Sequence, residues 1–231
     1  MARFNKSAIT KLEIIDCAAR LFLSNGYSNI TIKEICAELD MSPGNLTYHY
    51  PTKEHLLASM VKLLCEYQFK VMEEEAQEGI SSVLAVCLEL VAIAAGCAQD
   101  EIIRDFFVSA YHSPLCLEII RENDAERAKK VFAQYCTGWN DERFAEAELL
   151  VSGIEYAVIT ADYSKVSLET SIVGALHTIL SVYSVPHELR ILKIDKVLSM
   201  DYKYMSKRVL DSFSYYIIEE NENMLLSLLR A

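Results

Sequence analysis

Residues Thr31 to Leu57 read TIKEICAELDMSPGNLTYHYPTKEHLL. Thr31, followed three positions later by Glu34, makes a capping box in which each side chain satisfies an orphan backbone N–H at a helix start. Ile32, Ile35, Cys36 and Leu39 then share one helical face. The periodicity stops at Asp40-Met41 and restarts at Ser42-Pro43, because Ser is a favoured N-cap and Pro suits the first helical position, where no N–H is required. In this second helix Leu46 and Tyr50 are four apart and turn inward together, which leaves Gly44, Asn45, Thr47 and Tyr48 pointing elsewhere. Pro51 closes it. Thr52 is the expected cap of a third, longer helix, with Lys53 in its first turn, where a cation opposes the helix dipole and calls for an external anion such as a phosphate. Two short helices at a sharp angle, the second presenting small and hydrogen-bonding residues, have the helix-turn-helix geometry that lays a recognition helix in a major groove.

Working outward, the run from Ile14 to Leu57 resembles the N-terminal DNA-binding domain of the tetracycline-repressor (TetR/AcrR) family of bacterial transcriptional regulators, over about a fifth of the chain. The pieces that carry the resemblance are IIDCAARLFLSNGYSNITIKEICAELDMS and GNLTYHYPTKEHLL, with Leu46, His49, Tyr50 and Lys53 at the family's spacing from Phe22, Gly26, Thr31 and Ile35. The resemblance implies that Thr31, Tyr48, His49 and Lys53 hold DNA phosphates. It also implies that Ser42 belongs to the same surface and that Pro43, Gly44, Asn45 and Thr47 face base edges. Phosphate contacts set register, and base-edge contacts specify sequence. Asn45 is able to read adenine in a bidentate way, and the Thr47 methyl to meet a thymine methyl. Two positions depart from the family pattern. Asp40 replaces the usual turn Gly, although Asp tolerates a left-handed conformation better than most residues. Thr47 replaces a usual Tyr, so no operator sequence transfers by analogy.

The rest of the composition fits an all-α chain. At 231 residues and 52% hydrophobic content there is ample material for a buried core. Four Pro and seven Gly punctuate strong 3.6-residue periodicity, with no alternating β-branched runs. The net charge of −11 opposes a DNA partner at first sight, since duplex affinity comes largely from phosphate neutralisation. Residues 1–60, however, net to zero, and the remainder carries the whole deficit. An acidic body either orients the protein on DNA and weakens non-specific binding, or simply keeps it soluble. Seven cysteines without a Cys-x-x-Cys pair suit buried thiols in a reducing cytoplasm, with redox sensing as the alternative. MARFNKSAIT has no apolar segment of the secretory kind.

In chain order, residues 1–9 read as a loose arm, and Thr10 with Glu13 as a second capping box opening a helix that Gly26 ends. The helix from Lys53 extends to about Met72, and Glu73–Gly79 is a polar break. The expected division is a DNA-binding domain over 1–70, including the linking helix, and a helical effector-binding and dimerisation domain over 71–231. Ile80–Ala98 is almost unbroken apolar sequence around one charge, Glu89. A membrane span is rejected, since a central charge costs roughly 2.5 to 3.5 kcal/mol there and no basic flank exists. Further helices are expected over 100–111, 115–137, 141–162, 167–184 and 187–199, with one or two more from 201 to 229.

Recognition helices gain specificity by reading two half-sites of a pseudo-palindrome, which calls for a homodimer. Helices 141–162 and 167–184 are the candidate interface, because Ser152, Gly153, Ala157, Ser171, Gly174 and Ala175 allow close approach. The same small residues would equally ease packing within one subunit. Glu89, Tyr111, His112, Trp139, Glu155 and Tyr156 stand out in apolar stretches as candidates for a small-molecule pocket, and the two carboxylates suggest a cationic effector. No histidine has a Glu three positions before it, and no Walker, zinc-protease or nucleophile-elbow motif is present, so neither an enzyme nor a cofactor is expected. The expectation is a cytoplasmic regulator acting on double-stranded operator DNA, most simply a repressor released by an unidentified effector. An activator, or a helix-turn-helix used for protein contacts without a ligand, is the alternative.

Overall fold

A computed structural model describes residues 6–77 and 82–209, together with 212, 213, 215–217 and 219. These residues form helices α1 (Lys6–Asn25), α2 (Ile32–Glu38), α3 (Pro43–His49), α4 (Lys53–Ala76), α5 (Val83–Gln99), α6 (Glu101–His112), α7 (Pro114–Phe132), α8 (Asp141–Ile159), α9 (Leu168–Val182) and α10 (His187–Leu198), and no strand is found among them. Residues 202–209 are also helical.

The head consists of α1, α2, α3 and the start of α4. Phe22, Ile35, Leu46, Leu56 and Leu57 are completely buried there. Burying each such side chain contributes about 1.5 to 3 kcal/mol, enough to fix three short helices that could not persist alone. Helix α1 starts earlier than expected: Lys6–Ile9 are helical and the Thr10 hydroxyl donates to the Lys6 carbonyl, so Thr10 lies inside the helix and does not cap it. Residues 1–5 of the expected arm lie outside the described residues. Gly26 ends the helix at φ +88, as expected.

The body packs α5 at its centre against α4, α8, α9 and α10, while α7 lies between α4 and α8. Helix α5 is buried on nearly all sides, which explains its uninterrupted apolar sequence. No described helix is long and apolar enough to cross a membrane. Helix α6 lies between head and body, packing on α1 as well as on α5, α7 and α8. Helix α4 continues through residue 70 to Ala76, so the expected domain division falls within one uninterrupted helix, and Glu73–Ala76 is helix where a break was expected. The head's apolar cluster likewise continues into Phe106, Phe107, Ile120 and Ile159 of the body. Pro114 is the first residue of α7, capped by Ser113, and α7 stops at Phe132, five residues short of expectation. Of the expected helices, residues 80–81 and most of 210–229 lie outside the described residues. All seven cysteines are free, and all but Cys65 are fully buried.

Candidate functional site

The turn between α2 and α3 is fixed by backbone chemistry. Thr31 and Glu34 form the complete capping box, with the Thr31 N–H donating to Glu34 Oε2 at 2.7 Å. At the other end of α2, Met41 N–H donates to the Cys36 carbonyl at 2.9 Å and Asp40 N–H to that of Ala37 at 3.3 Å. With Asp40 at φ 48, this pair of bonds is a Schellman closure, which normally uses Gly. Asp40 thus takes the left-handed position its place in the sequence requires. Ser42 then caps α3, accepting from Asn45 N–H at 3.2 Å.

Leu46 is the one fully buried residue of α3. Pro43, Gly44, Asn45, Thr47 and Tyr48 are exposed, and Tyr48 is the most exposed large hydrophobic side chain among the described residues, at 78%. The Thr47 hydroxyl donates back to the Pro43 carbonyl at 2.9 Å, so its polar atom is occupied within the helix. His49 packs edge-on to Tyr48, with centroids 5.1 Å apart, and its Nδ1 is buried without a partner. Tyr50 donates its hydroxyl to the Lys11 carbonyl at 3.3 Å, seating the end of α3 against α1.

Two expectations at the start of α4 are corrected. Thr52 occupies the N-cap position, but its hydroxyl bonds His55 Nδ1 at 2.9 Å and caps no backbone N–H. Lys53 does not project toward an external anion. Its ammonium donates to the carbonyls of Tyr27 and Ile30, both at 2.6 Å, and lies 4.0 Å from the centroid of the Tyr27 ring. Burial holds its pKa below the ordinary lysine value. These carbonyls belong to the loop joining α1 to α2; that of Tyr27 also accepts from the Ile30 N–H at 3.3 Å, and for that of Ile30 the lysine supplies the donor.

The head is fastened to the body at two points. Asp105 of α6 accepts from the Ser28 N–H at 2.8 Å and from the Ser28 hydroxyl. Ser113, ahead of α7, donates its hydroxyl to Glu54 in the first turn of α4.

Between α6 and α8 of the body Tyr111 meets Glu155 in the interior, while His112, which is exposed, meets Tyr156 nearer the surface. The Tyr111 hydroxyl donates to Glu155 at 2.7 Å, and His112 Nε2 lies 2.6 Å from the Tyr156 hydroxyl. Glu89 reaches the same buried layer, where Arg127 lies 2.7 Å from it and 2.9 Å from Asp124. Trp139 does not join this group. It packs on Phe144 and Tyr183 and is covered by the Arg143 guanidinium at 4.9 Å. Two cavities, of about 20 and about 40 Å³, lie on either side of Asp124 and Glu155. Sequence reasoning missed Asp124, Arg127 and Glu148. The available signal was register: Ile120, Asp124, Ala128 and Val131 share one face of α7, and Phe144, Glu148, Val151 and Glu155 one face of α8.

On the outer face of α8, Leu149 and Leu150 are each 54% exposed, with Gly153 and Ala157 exposed beside them. Gly174 is exposed on α9, with open space where a Cβ would stand. Two of the small residues expected at an interface instead lie inside the protomer: Ser152 accepts from Arg121 Nε at 2.8 Å, and Ala175 is 6% exposed.

Residues 14–60 match the family model described as bacterial regulatory proteins, tetR family. The chain is 40% identical over 53 residues to the HTH-type transcriptional regulator QacR of Staphylococcus aureus, a match covering 23% of this chain and 28% of that protein. It is 33% identical over 52 residues to the HTH-type transcriptional regulator UidR of Escherichia coli, covering 22% of this chain and 26% of that one. The chain thus spans only about a quarter of the length of these curated relatives. SmeT, the repressor of the Stenotrophomonas maltophilia multidrug efflux pump SmeDEF, has the same fold at 16% identity, with a TM-score of 0.51 over 77% of this chain and 96% of that one.

Proposed function

We propose that this chain, whose residues 14–60 match the tetR family of bacterial regulatory proteins, is a homodimeric transcriptional regulator that binds operator DNA and is released from it by a small-molecule effector. The carrying observation is α3 itself: a helix held by one buried residue and by its caps, with Asn45, Thr47 and Tyr48 turned to solvent. Among the described residues the Asn45 side-chain amide has no protein partner, as a group that reads base edges requires. With the Thr47 hydroxyl occupied, its methyl is the group offered to a thymine, and Asn45 offers a bidentate amide. Thr31, Ser42, Tyr48 and His49 flank this face as phosphate contacts. Lys53 serves by fixing the α1–α2 loop.

Leu149, Leu150, Gly153 and Gly174 support pairing of two protomers through α8 and α9, which would bring two heads onto one duplex. Effector control follows from the small size of the cavities. Drug-sized ligands occupy roughly 300 to 1,000 Å³, so a ligand enters either of these two cavities only by separating helices. The larger cavity is lined by Val61, Leu64, Cys65 and Gln68 of α4, the helix whose first turn carries Lys53 and Glu54. Over the fifteen residues from Lys53 to Gln68 the helix spans about 22 Å. Displacing its middle therefore moves the Glu54 fastening and, through Lys53, the α1–α2 loop that carries Ser28, and pulls the two recognition helices off half-sites ~34 to 36 Å apart.

Selection of bound duplexes from a randomised pool, at a fixed salt concentration, tests the reading. Enrichment of an inverted repeat bound by two chains is expected; a pool that stays random even at low salt refutes it.

A further inference from the structure

The interior of the body brings together more acidic than basic side chains. Glu89, Asp124, Glu148 and Glu155 come together from α5, α7 and α8, and Arg127 is the cation among them. Arg127 is committed to Glu89 and Asp124. Glu148 and Glu155 receive phenol hydroxyls instead, from Tyr183 and Tyr111 respectively, and among the described residues neither forms an ion pair. Glu148 is 2% exposed and its Oε2 has no partner. On the α4 side, Gln68 is 3% exposed, lines the larger cavity and has an amide nitrogen without an acceptor.

Uncompensated buried carboxylates cost several kcal/mol each, and a buried amide donor left unmade costs about 1 to 3 kcal/mol. A packing core would replace such groups with apolar ones. Here they border space, and the rest of the lining is apolar and aromatic, including Phe106, Phe107 and Phe132. We propose that the two cavities on either side of Asp124 and Glu155 open into one binding site for an organic cation, an ammonium or amidinium borne on an aromatic body. Glu148 and Glu155 face the charge, the aromatic rings hold the body, and Gln68 donates to an acceptor on the ligand. A neutral ligand would leave both carboxyls protonated and gain no charge pairing from them.

The charge balance of the ligand-free protein agrees with this. Burial pushes Glu148 up to about 8 and Glu89 up to about 7, and raises Glu155 well above the carboxylate range. Their surroundings from the other helices are Asp124 and Arg127 of α7, Tyr111 of α6, Tyr183 after α9 and Cys65 of α4. Protons thus occupy the place of the missing cation, and a bound cation displaces them into solvent.

The proposal rests on the reading of the body as an effector domain, and its test is kept separate from DNA binding. Tetraphenylphosphonium and benzamidinium, with triphenylphosphine oxide and benzamide as neutral counterparts, are titrated calorimetrically into the full chain in two buffers of different ionisation enthalpy. The cations should bind at least about tenfold more tightly than their counterparts, with proton release, and Glu148→Gln and Glu155→Gln should each lose about tenfold or more of that affinity. The wild-type comparison needs no variant to fold. Neither cation binding, neutral counterparts binding as well, or Gln variants binding cations like wild type would overturn the proposal. A protein that selects a duplex but binds no cation refutes the site and leaves the regulator reading intact. Cation binding without duplex selection keeps the site and refutes the regulator.

Discussion

Replacing Glu148 with Gln should stabilise the protein increasingly as pH rises. A carboxyl whose pKa is higher in the fold than in the unfolded chain keeps its proton in the fold after the unfolded chain has lost it, so folding stability falls as pH increases between the two values. For Glu148 these are the ordinary glutamate value of 4.5 and about 8 in the fold. Between about pH 5 and about pH 8 the loss from this one group is on the order of 3 kcal/mol, at 1.36 kcal/mol per unit. Gln cannot ionise and carries no such loss. It keeps an oxygen to accept from Tyr183, and the amide nitrogen it places near the unpartnered Oε2 position costs the same at either pH. The variant-minus-wild-type difference should therefore grow by roughly 6 to 12 °C in Tm across that range, taking 2 to 4 °C per kcal/mol for a chain of this size. Thermal denaturation followed by circular dichroism at the two pH values reads it. A difference that is the same at both pH values refutes the buried, proton-holding carboxyl.

Lys53→Met should lower Tm by several degrees, because the Ile30 carbonyl loses its donor at about 1 to 3 kcal/mol, while the Tyr27 carbonyl keeps the Ile30 N–H; an unchanged Tm with weakened DNA binding would restore the phosphate role. Gly26→Ala should destabilise by about 1 to 2 kcal/mol, through its φ of +88 and a Cβ 3.1 Å from Asp105, with Ser28 losing part of its tie to α6; urea denaturation measures it. Leu149→Glu with Leu150→Glu should give a folded monomer by light scattering with at least about tenfold weaker duplex affinity, while an intact dimer would place the interface elsewhere.

The head was legible because its signals are local. The Thr31–Glu34 box, the Ser42-Pro43 restart and the tolerance of Asp40 for a left-handed turn all act within six residues, and each took the form its sequence predicts. Lys53 was misread because its partners, Tyr27 and Ile30, are more than twenty residues away and are backbone atoms, which no side-chain pattern announces. The body's acidic cluster was half visible. Glu89 and Glu155 stood out against apolar neighbours, but Asp124 and Glu148 lie in charged runs where single residues look like solvated surface. Tertiary packing alone turns them inward, against a neighbouring helix that sequence periodicity cannot name. Small residues were equally ambiguous: Gly153 and Gly174 face outward, whereas Ser152 and Ala175 serve packing within the protomer.

The most direct test of the central claim is duplex selection from a randomised pool, run in parallel on the wild type and on Asn45→Ala/Thr47→Ala at one stated salt concentration. Both substitutions lie on exposed positions of α3 and leave Leu46 and the Ser42 cap in place, so the variant should fold normally. The account predicts an inverted repeat for the wild type and, for the variant, relaxed preference at the base pairs those side chains read, each worth about 1 to 3 kcal/mol. Identical enriched sequences from both proteins would contradict it, because the base-reading surface would then lie somewhere other than α3.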